Sequence, residues 1–234
     1  MIAVTFALPA ESSGLFRSLH NKRRSDRHGI KTVNGEIDDH AIEVFHTGVG
    51  ERVCRQQMRE FLQDRQFDCL ISAGFAGALN DQLHVGDLLL AKNFSTVEFS
   101  AARSVLSSLS IHTADLLTVS SMIEAGEERI KIAQATGAAG VDMETEFIAR
   151  ACAERAIPLL SLRVISDTPR EPFPAPATVL FDMERQRTSI MNLGLHLLKH
   201  PSAIPRLITF SRKIARAREI LANAIVSILQ SYQM

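Results

Sequence analysis

The chain has 234 residues, enough for one domain of ordinary size with a substantial hydrophobic core. Hydrophobic residues make up 46% and charged residues 22%, which is typical of a soluble globular protein. The formal net charge is zero, which argues against a global basic field for nucleic acid or an anionic membrane.

Neither the first residues nor the cysteines indicate export. No apolar run reaches the roughly 18–20 residues that cross a bilayer. The first nine residues lack a basic leader and a small-residue cleavage site, so they predict a strand rather than a signal peptide. Cys54, Cys69 and Cys152 are far apart and odd in number, as expected of free thiols in a reducing compartment. We therefore expect a cytoplasmic protein without a membrane span.

The first fifth of the chain predicts strands, one helix and one loop. Ile2–Leu8 is a short apolar run that predicts a buried strand, and helical spacing of leucines predicts a helix over Glu11–Leu19. The basic stretch Asn21–Gly29 is interpreted as a solvated loop. Turn residues between Lys31–Val33 and Ala41–His46 predict short antiparallel strands.

Strands and helices then alternate. After Gly50 an apolar face predicts a helix, and Phe67–Ala73 predicts a strand closed by a glycine-rich turn over Gly74–Ala78. Further strands are predicted at Val85–Phe94 and Leu116–Ser120, and a helix at Glu124–Ala135. Such alternation predicts a single α/β domain over residues 1–234, with a mixed central sheet flanked by helices.

The last third predicts one helix, one strand, one loop and a helical end. A stripe from Met143 to Cys152 predicts a helix, and Pro158–Ile165, apolar on both faces, predicts a central strand. Four prolines in Thr168–Thr178 predict a loop long enough to cover a site. From about residue 185 we expect a helical extension, Arg185–Lys199 and then a long helix with a heptad seam (Leu207, Ile214, Leu221, Ile228).

Carboxylates stand at the ends of these elements. Glu11 follows the first strand, and Glu144 lies at the start of the helix that begins near Met143. Asp167, next to Ser166, lies at the end of the predicted central strand. Carboxyl ends of neighbouring strands meet at one edge of a sheet, so the fold can bring Glu144 and Asp167 together. The pattern indicates a site, although exposed acids at element ends are the common alternative.

Two glycine-rich stretches flank these acids. Thr47-Gly48-Val49-Gly50 lacks the third glycine of a dinucleotide fingerprint, so it is a weak signal for a dinucleotide. Bare backbone N–H groups there, or at Gly74–Gly77, could instead meet a small anion or a sugar, with tight turns as the alternative. His196 and His200 lie four residues apart without an evident third ligand, so no metal site is predicted.

Five stretches in order resemble the nucleoside phosphorylase and nucleosidase superfamily, especially its methylthioadenosine/S-adenosylhomocysteine nucleosidase branch. They are Ala7–Glu11, Thr47–Gly50, Ser72–Leu79 with Val85–Asp87, Val141–Glu144 and Arg163–Asp167. The C-terminal stretch Lys199–Leu207 is similar to tails of the hopanoid-associated phosphorylase branch. The resemblance implies an enzyme that cleaves the N-glycosidic bond of a purine nucleoside, with adenine as the expected base.

The resemblance also implies roles for single residues. Glu11 would activate the nucleophile and Asp167 would protonate the purine, while Thr47 and Gly48 would border the nucleophile. Gly74, Phe75, Asp142, Met143, Glu144, Ser166 and Phe181 would contact the substrate. No nucleotide cofactor or metal is implied, and a homodimer is expected.

Three questions stay open on sequence alone. Glu11 favours water as the nucleophile, whereas the tail favours phosphate as a co-substrate, held by the glycine turns with Arg52 or Arg163 nearby. Phe75, where relatives carry a small polar residue, leaves room for a nucleoside-binding protein that has lost its chemistry. The heptad seam alone would also fit a helix-mediated assembly module.

Overall fold

The computed structural model describes residues 1–97, 99–176, 179, 181–182, 187–188 and 199–231, with side chains for all of these except 99–101, 181–182 and 187–188. The predicted α/β fold is confirmed: a mixed ten-stranded sheet is flanked by helices. Its strands are β1 (Ile2–Phe6), β2 (His20–Arg27), β3 (Ile30–Ile37), β4 (His40–His46), β5 (Cys69–Ala78), β6 (Leu88–Ala91), β7 (Ile111–Ala114), β8 (Leu116–Thr118), β9 (Gly140–Asp142) and β10 (Leu159–Asp167).

The remaining described elements are helices and one small ribbon. The helices are α1 (Pro9–Ser12), α2 (Leu15–Ser18), α3 (Glu51–Phe61), α4 (Phe99–Val105), α5 (Gly126–Thr136), α6 (Thr145–Ala153) and α7 (Ile204–Ser231), the last preceded by a 3-10 turn at Pro201–Ala203. Strands β11 (Phe181–Asp182) and β12 (Arg187–Thr188) pair antiparallel with each other. No described helix is both long enough and apolar enough to cross a membrane.

The order of the strands places several chain segments at one edge of the sheet. The main path runs β2-β3-β4-β1-β5-β10-β6-β7, and β9 with β8 joins the end of β5. Strands β4, β1, β5 and β10 are parallel, so their carboxyl ends share an edge. Glu11 just after β1, Asp142 at the end of β9 and Asp167 at the end of β10 therefore converge there.

Helices cover both faces of this sheet. On one face the C-terminal half of α7 buries Leu221, Ile225 and Leu229 against residues such as Val4 and Leu162. On the other, α3 and α6 bury a second cluster in which the rings of Phe45 and Phe61 stack at 3.6 Å between centroids (Met58, Phe61, Ile148, Cys152). The seam residues Leu221 and Ile228 thus pack within their own chain, which accounts for that half of the heptad pattern.

Several predictions of local structure are wrong. The basic stretch interpreted as a loop is the edge strand β2, exposed along its length and paired with β3, so no apolar alternation reveals it. The helix predicted over Glu11–Leu19 is two short helices, α1 and α2. Residues 187–188 form a strand, so the helix predicted from Arg185 does not begin there; most of it, with His196, lies outside the described residues.

The glycine-rich turn predicted after β5 is also wrong, and its correction bears on the site. Strand β5 continues through Gly74 and Gly77 to Ala78, paired with β10. A Cβ at Gly74 would lie 3.1 Å from Glu11 Oε1, and one at Gly77 would lie 3.3 Å from Asp167 Oδ2. The two glycines therefore serve the close approach of buried carboxyl groups to the strand rather than a turn.

Candidate active site

A cavity of about 180 Å³ opens at the shared carboxyl edge of the parallel strands. Its lining brings together residues from β5, β9, β10, α1, α5 and the loop after β10. The charged members are Glu11, Asp142, Glu144, Asp167 and Arg129. Four carboxyl groups thus share this cavity with a single described guanidinium.

Glu11 is held by backbone donors from two elements. Its Oε2 accepts from Leu8 N–H at 2.8 Å, and its Oε1 accepts from Phe75 N–H at 3.0 Å. Burial raises the pKa of Glu11, and those two N–H groups act in the opposite direction. The carboxyl is therefore fixed in orientation and is a stronger base than a solvated glutamate, as a general base requires.

Glu144 stands at the N-terminus of α6 and faces the turn between β4 and α3. Its Oε1 accepts from Gly50 N–H at 2.8 Å, and Gly50 has φ of 86°, a conformation that favours glycine. Burial raises the pKa of Glu144 to about 8, and the nearby carboxylates of Asp142 and Glu11 add to that shift. The side chain can accept from a ligand hydroxyl through its remaining lone pairs.

Asp167 is 1% exposed and is contacted from both sides. Ser166 Oγ donates to its Oδ1 at 2.6 Å, and Arg129 Nη2 lies 2.5 Å from its Oδ2 in an ion pair. Burial raises the pKa of Asp167, and the Arg129 guanidinium and the Ser166 hydroxyl oppose that rise. The net result is a carboxyl group that keeps its proton to higher pH than a free aspartate does.

Asp142 points to a second arginine rather than into open cavity. Arg163 donates through Nε to Asp142 Oδ2 at 3.1 Å, and Thr118 Oγ1 donates to Oδ1 at 2.9 Å. Every other N–H of Arg163 also has a partner, on Ser72, Leu162 or Thr145. This arginine therefore ties β10 to β5 and α6, and it has no donor left for a ligand.

The structure brings most of the predicted residues to the cavity. Seven line it: Glu11, Phe75, Asp142, Met143, Glu144, Ser166 and Asp167. Gly74 lies directly behind Glu11, while Thr47 and Gly48 use their N–H groups on Phe6 O and Ala7 O. The Phe181 side chain lies outside the described residues, and Arg52 faces a different cavity, between α3 and α6. What each residue does there stays a prediction.

One charged and one aromatic residue of the lining were missed in the sequence, as were Val119, Met122 and Ile123. Arg129 comes from the first turn of α5, a helix whose charges otherwise look solvated, so no local pattern marks it as buried. Phe173 comes from the proline-rich loop, and it lines the cavity. The prediction that this loop borders the site is thus confirmed for its described part.

Because the pKa of Glu144 is raised, we expect Glu144→Gln to stabilise the fold by an amount that depends on pH. The folded state keeps the proton between the ordinary value of 4.5 and about 8, whereas the unfolded chain loses it, so wild-type stability falls through that window. Glu144→Gln removes this loss and should raise the free energy of unfolding at pH 8.5 by roughly 2–4 kcal/mol more than at pH 4.5. Denaturant melts at the two pH values measure it.

The matched control is Glu146→Gln, which removes an exposed carboxylate that pairs with Arg150 on the same helix. Its effect should stay below about 0.5 kcal/mol at either pH. Equal effects of Glu144→Gln at both pH values would rule out a buried carboxyl that keeps its proton.

Known proteins resemble this chain in sequence and in fold. The sequence profile of the phosphorylase superfamily matches residues 1–104 and 101–199. The chain is 23% identical to the 5'-methylthioadenosine/S-adenosylhomocysteine nucleosidase of Staphylococcus aureus, over 71% of this chain and 86% of that protein.

Solved structures share the whole fold. The futalosine hydrolase of Helicobacter pylori superposes with a TM-score of 0.73 at 13% identity, over 99% of this chain and 97% of that one. The 5'-methylthioadenosine/S-adenosylhomocysteine nucleosidase of Campylobacter jejuni gives 0.73 at 16% identity, over 99% of each chain. The predicted resemblance and the predicted enzyme type, nucleosidase or phosphorylase, are confirmed at the level of the family: the chain belongs to the phosphorylase superfamily.

Proposed function

We propose that the protein cleaves the N-glycosidic bond of a purine nucleoside, with water as the nucleophile. The observation that carries the proposal is the set of three buried carboxyl groups, Glu11, Glu144 and Asp167, around one cavity. Cleavage of this bond develops positive charge on the sugar and negative charge on the base. Carboxyl groups of opposite protonation state serve the two ends of such a reaction.

Each group has a defined part in the step. Glu11 takes a proton from water as the water oxygen bonds to the anomeric carbon. The C1'–N9 bond breaks and its electron pair leaves with the base, which takes a proton at N7 from Asp167. Glu144 releases its proton to solvent as the sugar hydroxyls approach and donate to it, and its carboxylate stabilises the positive charge at the sugar. The products are a free sugar and a free base, and all three carboxyl groups regain their starting states by proton exchange with solvent.

Several backbone N–H groups around the cavity already have acceptors within the protein, which favours water over phosphate as the nucleophile. The N–H groups of Leu8 and Phe75 donate to Glu11, that of Gly50 donates to Glu144, and that of Gly48 donates to Ala7 O. Arg163 has no unused N–H, as described above. The one described guanidinium of the lining already pairs with Asp167, so it offers a phosphate dianion no unpaired cation, whereas a neutral water molecule needs none.

The identity of the base is inferred more indirectly than the reaction. The S. aureus nucleosidase is named for adenosine derivatives, which favours adenine as the base. The 5' substituent is not part of the proposal. The homodimer and the cytoplasmic location expected from sequence stay predictions, and sedimentation velocity would test the first. A nucleoside-binding protein without activity is the alternative, since the Phe75 side chain lines the cavity.

The test is release of free base from adenosine, inosine, methylthioadenosine and S-adenosylhomocysteine in phosphate-free buffer. The proposal expects free base and free sugar from at least one of them. If calorimetry detects tight nucleoside binding while no base appears over hours, the binding-protein alternative replaces the proposed activity. Appearance of a sugar 1-phosphate only after phosphate is added would replace hydrolysis with phosphorolysis.

A further inference from the structure

A second cavity, of about 450 Å³, lies between α3 and α6 and shares no lining residue with the cavity around Glu11. Five arginine side chains line it, and we call it the arginine groove. They come from α3, from α6 and from the residues just after α6: Arg52, Arg55, Arg59, Arg150 and Arg155. Among the described residues of the lining, Glu154 is the one acid. Because the chain has a formal net charge of zero, the groove is a local concentration of positive charge.

Only two of these arginines have a carboxylate partner in the described part of the chain. Arg55 Nε donates to Glu51 Oε1 at 2.8 Å, and Arg150 Nη2 donates to Glu146 Oε1 at 3.0 Å. The side chains without an ion pair or hydrogen bond to a described residue are those of Arg52, Arg59 and Arg155. Three carboxylates line the groove or pair with its arginines, which leaves an excess of two positive charges.

The spacing of the arginines on α3 brings like charges together. Arg52, Arg55 and Arg59 are three and four residues apart, so their side chains lie on one face of the helix. Like charges at this spacing destabilise a helix, and dissolved salt only screens the repulsion. An anion that contacts several of these guanidinium groups offsets it. The groove therefore favours a ligand with several negative charges over one with a single charge.

The floor and the length of the groove indicate the shape of that ligand. Met58 and Leu62 are buried beneath the charged rim, and Phe147 is half-buried beside them. A volume of about 450 Å³ lies within the range of small-molecule sites. Arg52 and Arg59 are two helical turns apart, roughly 10 Å along α3. One phosphate group does not span that length, whereas a short chain of phosphate groups does.

We propose that the arginine groove binds a linear polyphosphate, either inorganic or carried by a nucleotide. Guanidinium groups pair with phosphate oxygens through two parallel N–H donors. A chain of phosphate groups presents such oxygens along its whole length, so it can contact arginines from both helices. A single-stranded nucleic acid matches less well, because its binding sites extend over about four or more nucleotides. The site is separate from the cavity around Glu11, and the proposal does not depend on the reaction proposed there.

The test is calorimetry in metal-free buffer at an ionic strength of about 0.15 M, where surface charges more than about 8 Å apart are largely screened. Tripolyphosphate, ATP, orthophosphate and a short oligothymidylate are titrated into wild-type protein, Arg59→Gln and Arg155→Gln. The matched control is Arg27→Gln, which removes an exposed arginine of β2. All three substitutions are at exposed or half-buried side chains, so each variant should fold.

We expect wild type to bind tripolyphosphate about tenfold or more tighter than orthophosphate, because each additional guanidinium contact contributes up to about fivefold. Arg59→Gln and Arg155→Gln should each weaken tripolyphosphate binding by about fivefold, and Arg27→Gln should leave it unchanged. Equal affinity for ATP and tripolyphosphate would assign recognition to the phosphate chain alone. Tighter binding of ATP that Arg59→Gln weakens would make a nucleotide the ligand.

Four results overturn the proposal. Wild type does not bind tripolyphosphate, it binds orthophosphate as tightly, Arg27→Gln loses as much affinity as the two groove variants, or the oligothymidylate binds more tightly than tripolyphosphate. Binding of ATP alone, unchanged in Arg59→Gln and Arg155→Gln, would also place the nucleotide outside the groove. None of these results bears on base release, so failure of this proposal and failure of the proposed hydrolysis are distinguishable.

Discussion

Glu11→Gln is expected to reduce base release by about 10²–10⁴-fold, because the amide cannot take the proton of the attacking water. The substitution keeps the size of the side chain, although its carbonyl oxygen replaces only one of the two oxygens that accept from Leu8 N–H and Phe75 N–H. The loss should therefore fall on the turnover number, with the affinity for nucleoside nearly unchanged. Steady-state kinetics and calorimetry with the preferred nucleoside measure the two quantities.

Glu146→Gln again serves as the control, since its carboxylate is exposed and paired on the surface of α6. It should leave the turnover number within a factor of about two. If Glu11→Gln folded normally and retained activity within about tenfold of wild type, Glu11 would not be the base.

Asp167→Asn is expected to lower the turnover of a purine nucleoside by about 10²–10⁴-fold, because the departing base then receives no proton from the protein. The wild-type rate should fall at high pH as Asp167 loses its proton, since burial sets the pKa of this group above its ordinary value. That decline should be absent from the residual rate of Asp167→Asn. A pH–rate profile of each protein measures it.

A substrate with an acidic leaving group separates this role from a folding defect. The substitution also leaves Arg129 buried without its carboxylate, which destabilises the fold. 4-Nitrophenyl riboside needs no proton on its leaving group, so Asp167→Asn should cleave it nearly as fast as wild type. Glu11→Gln should be slow on both substrates. Equal losses on the two substrates in Asp167→Asn would contradict a role as the acid.

The sequence predicts those parts of the site whose structure follows from the local pattern of residues. Strand β10 is apolar on both faces and ends in an acid, and α6 has a clear apolar stripe behind Glu144. Parallel strands then place these ends at one edge without further information. The order of the acids along the chain, together with the family resemblance, was therefore enough to locate the cavity and seven of its lining residues.

The sequence misses those parts whose structure depends on contacts between segments that are distant along the chain. Arg129 is buried only because Ile123 O, Ala78 O and Asp167 surround it, and nothing in the local pattern of α5 signals those partners. The glycines of β5 look like a turn, yet they lie within a strand because buried carboxyl groups approach it. Strand β2 forms by pairing with β3 at an edge, where polar residues on both faces give no alternation.

The most direct test of the central claim is the initial rate of base release as a function of phosphate concentration, starting from a phosphate-free solution. The preferred nucleoside of wild-type protein is used, and the sugar product is identified at each concentration. Hydrolysis with Glu11 as the base predicts full activity without phosphate, a rate that phosphate does not raise, and free sugar throughout. A rate that starts at zero and rises with phosphate, with sugar 1-phosphate as the product, would contradict it.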